Sequence, residues 1–301
     1  MHVALIDPSR VVLKIVAGML EAGGHTVVAF SNSAAALAHV EADPSVACVL
    51  TSLEVEPLGG LELCWSLRAL VDERRPLTIL VMSSARDDRP LGEVLDSGAD
   101  DFLSKPPSPQ ELHGRLRAAE RVLGLQRALI RQADTDHLTQ LLNRGALMRR
   151  AESDLAAASD ENPLAMLQVD IDHFKSINDR FGHDIGDQVI RRVAQILRET
   201  GETRATAGRL GGEEFAVLMP GHGIAGAAVA AHRIRIQCAA GTVPGLPDLR
   251  FTASIGLSEW APGDTVDSLL KRADVALYAA KRGGRDRVAV AGPDMEPAMV
   301  G

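Results

Sequence analysis

A chain of 301 residues, 46% hydrophobic and 24% charged, has the composition of a globular protein and the length of two domains, each large enough for its own core. Net charge −8 and an aromatic content of 3% exclude a nucleic-acid surface, which needs basic stripes and stacking rings. No apolar run reaches the roughly 18 residues of a membrane span, and the three scattered cysteines, Cys48, Cys64 and Cys238, fit buried thiols in a reducing cytoplasm better than disulfides or zinc.

The first residues, Met1 to Asp7, lack a basic leader and read as a first strand. Strand and helix then alternate: strands over Val3–Ile6, Thr26–Phe30, Val46–Thr51, Leu77–Met82 and Asp101–Leu103, and helices over Val11–Leu20, Ala34–Val40, Leu61–Leu70 and Leu91–Leu95. This alternation predicts a doubly wound parallel sheet in an α/β domain of residues 1–120. Ligands of such sheets bind beyond the carboxyl ends of the strands. Asp7, Ser52, Ser83, Ser84 and Lys105 stand there.

Those positions resemble the flavodoxin-like receiver domain of two-component response regulators. Ser84 and Lys105-Pro106 match its pattern. Asp7 supplies half of its acidic pair and Pro8 replaces the other half. At the phospho-acceptor position stands Ser52, which cannot form an acyl phosphate, and the loss of that carboxylate weakens the magnesium site. Glu54 and Glu56 lie nearby, out of register. The resemblance implies a degenerate receiver.

Leu112, Leu116, Ala119, Leu123, Gln126, Ile130 and Ala133 recur with 4-3 spacing, a heptad seam. Leu112 and Leu116 are expected to close the receiver. Beyond Gly124 no sheet remains to cover the stripe, so residues 121–135 are expected to be a helical coiled-coil linker with a partner helix.

The second half, residues 136–292, opens with Asp136 to Arg144 and a helix to about Ala158. A buried strand, Leu164–Val169, ends in Asp170-Ile171-Asp172. A polar helical stretch, His173 to Phe181, is followed by Gly182 to Asp187 and a helix with Val189, Val193 and Ile196 on one face. Next comes a hairpin around Arg209-Leu210-Gly211-Gly212-Glu213-Glu214-Phe215. Gly-Gly predicts a two-residue type I′ turn, which needs positive φ at both central positions. A helix over Ala225–Cys238, a strand at Phe251–Ile255, a helical pair reaching Tyr278, and a last strand at Arg287–Val290 complete the domain. Residues 293–301 read as a disordered tail.

Asp170 ends a buried strand, where a charge is costly unless it is paired or metal-bound. If that strand neighbours the hairpin, Asp170 and Glu213 converge, and two such carboxylates repel without a cation between them. Oxygen ligands without His or Cys select Mg²⁺ or Mn²⁺, which commonly completes its shell with water and phosphate. Lys281 and Arg285, beside Gly283 and Gly284, are placed to hold distal phosphates. Taken singly, these features also fit a solvated acidic hairpin, a turn-capping Asp and a surface cation cluster.

Together, Asp136–Arg144, Asp170–Asp187, Arg209–Phe215, Ser254-Ile255-Gly256 and Ala273–Arg285 resemble the GGDEF diguanylate cyclase domain. The resemblance implies an α+β palm-like sheet that joins two GTP into cyclic di-GMP, with release of two pyrophosphates, when two domains meet head-to-tail. It implies two Mg²⁺ or Mn²⁺ per active site, held by Asp170, the carbonyl of Ile171 and Glu213. Glu213 is then the base for the 3′-hydroxyl and Glu214 supports it. Lys175, Lys281 and Arg285 stabilise phosphate charge, Asn178 and Asp187 read guanine, and His183 lies in the same substrate stretch. Gly211 and Gly212 admit the α-phosphate. Gln140 and Gly145 depart from the family's opening motif, and Glu202-Thr203-Arg204-Ala205 replaces its inhibitory Arg-x-x-Asp site.

The expectation is therefore a cytoplasmic diguanylate cyclase, a homodimer through receiver and linker helix. It has no nucleic-acid or membrane partner, and its upstream signal is not readable. Two other readings compete: a catalytically silent nucleotide-binding interaction module, and a phosphorylation-driven scaffold. The presence of Asp170, Lys175, Asn178 and Glu213 opposes the first, and Ser52 opposes the second.

Overall fold

The computed structural model describes residues 1–71, 74–84, 91–199, 204–291 and 297–300. The chain divides into two units, Met1–Ala133 and Asp134–Gly301.

In the first unit the elements are β1 (His2–Ile6), α1 (Arg10–Ala22), β2 (Thr26–Phe30), α2 (Ser33–Ala42), β3 (Val46–Ser52), α3 (Gly60–Ala69), β4 (Thr78–Ser83), α4 (Leu91–Asp96), β5 (Asp101–Ser104) and α5 (Pro109–Asp134). The five strands form a wholly parallel sheet in the order β2-β1-β3-β4-β5. β3 is buried along its whole length, as a central strand covered on both faces must be. Ile6, Val49, Ile79 and Val81 face one apolar layer, and Leu5, Leu50, Leu80 and Met82 the other. Ser9 and Asn32 accept backbone N–H bonds at the starts of α1 and α2, satisfying donors that a helix start leaves open.

α5 is one continuous helix that carries the whole expected seam, from Leu112 to Ala133. Leu112, Leu116, Ala119 and Leu123 are buried, so the seam stays packed up to the expected limit near Gly124. Beyond it Gln126 is exposed and Ile130 half-buried. The most exposed apolar side chains of this stretch are Leu125 and Leu129, at 69% and 66%, outside the expected register.

The second unit contains β6 (Leu142–Asn143), α6 (Arg144–Ala156), β7 (Leu164–Ile171), α7 (Phe174–Phe181), α8 (His183–Arg198), β8 (Thr206–Gly211), β9 (Glu214–Pro220), α9 (Ile224–Ala239), β10 (Ala253–Glu259), α10 (Val266–Arg282), β11 (Val288–Ala291) and β12 (Pro297–Val300). They build a mixed sheet in the order β12-β11-β10-β7-β9-β8-β6. β7 lies at its centre with all eight residues buried, antiparallel to both β9 and β10. Val169, Val193, Phe215 and Ile234 belong to the core of one face, and Met166, Leu218 and Leu269 to that of the other. The expected disordered tail is corrected in part: Pro297–Val300 pairs with β11 as an edge strand. Proline opens it, a position where no ladder N–H is required.

Candidate active site

Pairing of β7 with β9 sets Asp170 directly across from Glu214. The expected convergence of Asp170 with the acidic hairpin is therefore built by sheet register, and Ile171 N–H donates to Glu213 O at 3.4 Å. Asp170 is 5% exposed. Burial pushes its carboxyl pKa up, the ion pair with Lys281 opposes that rise, and the charges of Glu213 and Glu214 add to it. Lys281, from the last turn of α10, places Nζ 2.7 Å from Asp170 Oδ2. Lys281, expected at the distal phosphates, lies here as counterion to a buried carboxylate that needs one.

The hairpin turn differs from the expected type. The ladder shifts register between Arg209 and Gly211, and Gly211 pairs with Glu214. This leaves Gly212 and Glu213, not Gly211 and Gly212, as the central residues. Gly212 has φ +50 and Glu213 is not among the residues of positive φ, so only the first central position is left-handed, the requirement of a type II′ turn. The shift puts Glu213 at the tip, next to two exposed glycines with open space above them.

Arg209 closes this turn, a role the sequence reading did not assign. Its Nε and Nη2 donate to Gly212 O at 2.9 and 2.7 Å, and its Nη1 donates to both carboxylate oxygens of Asp136 at 3.1 and 3.2 Å. Asp136 also accepts from the backbone and hydroxyl of Thr139. Burial works to raise the Asp136 pKa, and these bonds outweigh it and hold it below the usual value. The signal was an arginine three residues before the turn glycine; its acidic partner lies 73 residues upstream, beyond local reasoning.

α7 and α8 carry the other expected residues, separated by Gly182 at φ +86. Lys175 is exposed on the first turn of α7, and His183 is exposed at the start of α8. Asp187 is half-buried one turn further on. Asn178 lies against Gly186, where any Cβ would overlap its Oδ1, and that oxygen is buried with no hydrogen-bond partner. An orphaned amide oxygen of this kind is costly. Arg285 is exposed, at φ +62. A cleft of about 250 Å³, lined among others by Gln168, Glu214, Lys271 and Asp274, opens beside the hairpin. No group of three or more His, Cys, Asp or Glu side chains suited to a metal occurs among the described residues.

In the first unit, Lys105 Nζ lies 3.0 Å from Asp7 Oδ2 and donates to Ser52 Oγ at 2.9 Å and Glu54 Oε2 at 3.4 Å. Glu54, expected to be out of register, thus returns a carboxylate to the site, because the turn after β3 folds back toward Lys105. Of the Glu202–Ala205 segment, Glu202 and Thr203 lie outside the described residues.

A five-stranded parallel sheet with a lysine at its carboxyl edge, ahead of a mixed sheet with carboxylates at a hairpin lip, is the layout of a receiver domain followed by a second, α+β domain. Comparison with known proteins agrees. Residues 133–287 match the family "Diguanylate cyclase, GGDEF domain", and residues 3–117 match the response regulator receiver domain. The chain belongs to the GGDEF family, with a receiver domain at its N-terminal side. It is 36% identical to the response regulator PleD of Caulobacter vibrioides over 264 residues, 83% of this chain and 58% of PleD. It is also 36% identical to the diguanylate cyclase DgcP of Pseudomonas aeruginosa, over 75% of this chain and 35% of DgcP. The chain thus spans less than two thirds of the length of these relatives. Among solved structures, the coiled coil and GGDEF domain of DgcB from Caulobacter crescentus, in complex with c-di-GMP, superposes with TM-score 0.56 at 36% identity, over 60% of this chain and 97% of that one. The diguanylate cyclase SiaD of Pseudomonas aeruginosa, in complex with its activator SiaC, gives 0.52 at 32% identity, over 60% and 72%.

Proposed function

We propose that the protein is a diguanylate cyclase that condenses two GTP into cyclic di-GMP and releases two pyrophosphates. The observation that carries this reading is the convergence of buried Asp170, the Glu213–Glu214 turn and Lys281 at the lip of an open glycine hairpin.

The donor set fits a hard divalent cation. Asp170 is buried, burial disfavours its charge, and a lysine already lies against it. The Ile171 carbonyl would join the carboxylates in holding such a cation, with water and phosphate oxygens to complete the shell that Mg²⁺ or Mn²⁺ prefers. Asp170, Ile171 and Glu213 would hold two such ions per site. Bound there, they supply a lowered 3′-hydroxyl pKa and charge neutralisation at the phosphates.

The chain's own groups do the rest. Gly211 and Gly212 leave room for the α-phosphate. Glu213 takes the proton of the 3′-hydroxyl as that oxygen bonds to the α-phosphorus and the bond to pyrophosphate breaks. Glu214 holds the base in place. Lys175, Lys281 and Arg285 offset the charge on the phosphates. Asn178 and Asp187 accept from guanine N–H groups, and His183 flanks the base.

Each attacking 3′-hydroxyl comes from the GTP of a second domain, so the active species is a homodimer. Exposed Leu125 and Leu129 of α5 supply an apolar contact for it. The test is incubation with GTP and Mg²⁺ followed by nucleotide chromatography. Cyclic di-GMP is expected from the unmodified protein and none from Glu213→Gln. GTP binding without turnover by the unmodified protein would favour the silent interaction module instead.

A further inference from the structure

Asp172 has no part in the chemistry above, yet its carboxylate is buried, 4% exposed, and fully engaged. Oδ1 accepts from Ser254 Oγ at 2.7 Å, and Oδ2 accepts from Thr252 Oγ1 at 2.7 Å and from Asp286 N–H at 3.0 Å. Its own N–H donates to Thr252 O at 2.9 Å. These bonds tie the segment just past β7 to the start of β10 and to the residues that lead into β11.

The bonded segment is an unusual one. Gly284, Arg285 and Asp286 are all left-handed, at φ +117, +62 and +43. Non-glycine residues hold such backbone only where the surroundings over-determine it. Here Arg285 N–H donates to Ala280 O at 3.1 Å, Arg285 O accepts from Arg287 Nε at 2.9 Å, and the Asp286 side chain accepts from Arg235 of α9 at 3.0 Å. Asp172 supplies the bond that joins this segment to the strand carrying Asp170. The side chain of Arg285, meanwhile, is left exposed.

We infer that Asp172 is a positioning residue for substrate phosphate. It registers the Gly283–Asp286 segment against Asp170, so that Arg285 and Lys281 meet the distal phosphates of the bound nucleotide. This rests on the reading of the site as a GTP site. All three side-chain partners of Asp172 are donors, which a carboxylate accepts without compromise. An asparagine keeps an acceptor for Asp286 N–H, and the Ser254 hydroxyl can reverse to accept from its amide.

The test is titration calorimetry of the full chain with a non-hydrolysable GTP analogue and with GMP, in the presence of Mg²⁺. Asp172→Ala is expected to weaken the GTP analogue about tenfold or more, the loss of a charge-assisted phosphate contact. GMP, which lacks the distal phosphates, should change by less than about twofold. Asp172→Ala combined with Arg285→Ala should bind no more weakly than Arg285→Ala alone, and Asp172→Asn should bind like the unmodified protein. Should Asp172→Ala fail to fold, Asp172→Ser carries the same cycle. Unchanged affinity for the GTP analogue, an equal loss for GMP, or additive losses in the double variant would each overturn the positioning role alone. Failure of the unmodified protein to bind the GTP analogue would overturn the substrate reading, and this role with it.

Discussion

Gly186 lies in the first turn of α8, where an added Cβ would overlap Asn178 Oδ1 and lie 3.0 Å from Asn178 Cγ and 3.1 Å from Phe174 Cζ. Gly186→Ala is therefore incompatible with the observed position of the Asn178 carboxamide. That group is the far end of a flexible side chain, so it moves and the backbone does not. Replacing a helical glycine by alanine recovers about 1 kcal/mol of helix propensity. Crowding at Phe174 costs about the same, and the unfolding midpoint should hardly change. Substrate binding should change much more. A guanine donor left without its buried acceptor costs about 1–3 kcal/mol, and about 1.4 kcal/mol is a factor of ten. KM for GTP should then rise roughly 5- to 150-fold. Asn178→Ala should do the same, and the double variant should be no worse than Asn178→Ala. Pyrophosphate release against GTP concentration, run beside thermal melts, measures both effects. An unchanged KM with an unchanged midpoint would refute the placement of Asn178 at the base. A large fall in the midpoint would show that the steric load falls on backbone and not on the carboxamide.

Gly256→Ala should behave in the opposite way, because its Cβ would run into Ala273 O and Leu277 N, the backbone of α10; urea denaturation should show a loss of about 3 kcal/mol or more, and near-native stability would contradict this close approach. Burial raises the pKa of Asp264, but hydrogen bonds from Arg272, Ser268 and Ala261 outweigh it and hold the carboxyl at about 2, against 3.8 unperturbed. The pair thus contributes about 2 kcal/mol above pH 3.8, lost as pH falls through about 2. Asp264→Asn should accordingly be less stable than the unmodified protein at pH 7 and equal to it near pH 2, and a gap that persists in acid would contradict the assignment. In the receiver, Lys105 is already held by Asp7, Ser52 and Glu54. Acetyl phosphate or beryllium fluoride should therefore leave both solution mass and cyclase rate unchanged, and a rise in either would show that phosphoryl chemistry survives there.

Much of this molecule was readable in one dimension. Apolar runs such as Val46–Thr51 and Leu164–Val169 lie within one or two residues of β3 and β7, because a central strand must be apolar on both faces. Asp170 and Glu213 were recognisable because a charge beside such a run needs a partner or a cation. The misreadings have physical causes too. A Gly-Gly pair permits several turns, and a register shift at Arg209 moved the turn onward by one residue. The exposed apolar stripe of α5 runs through Leu125 and Leu129 and not through Gln126 and Ile130, since periodicity alone does not say which stripe a neighbour leaves uncovered.

The two sheets, the order of their elements and the residue types gathered at the hairpin are all legible in one dimension. Those follow from hydrophobic periodicity and from the cost of burying charge, which act locally along the chain. The pairings across long separations come from the folded core. Lys281 meets Asp170, Arg209 meets Asp136, Glu54 reaches Lys105, and Asp172 takes the N–H of Asp286 across 114 residues. Each such contact depends on strand register and on the approach of one helix to a sheet. Those are set by the packing of the whole core, which no local pattern encodes.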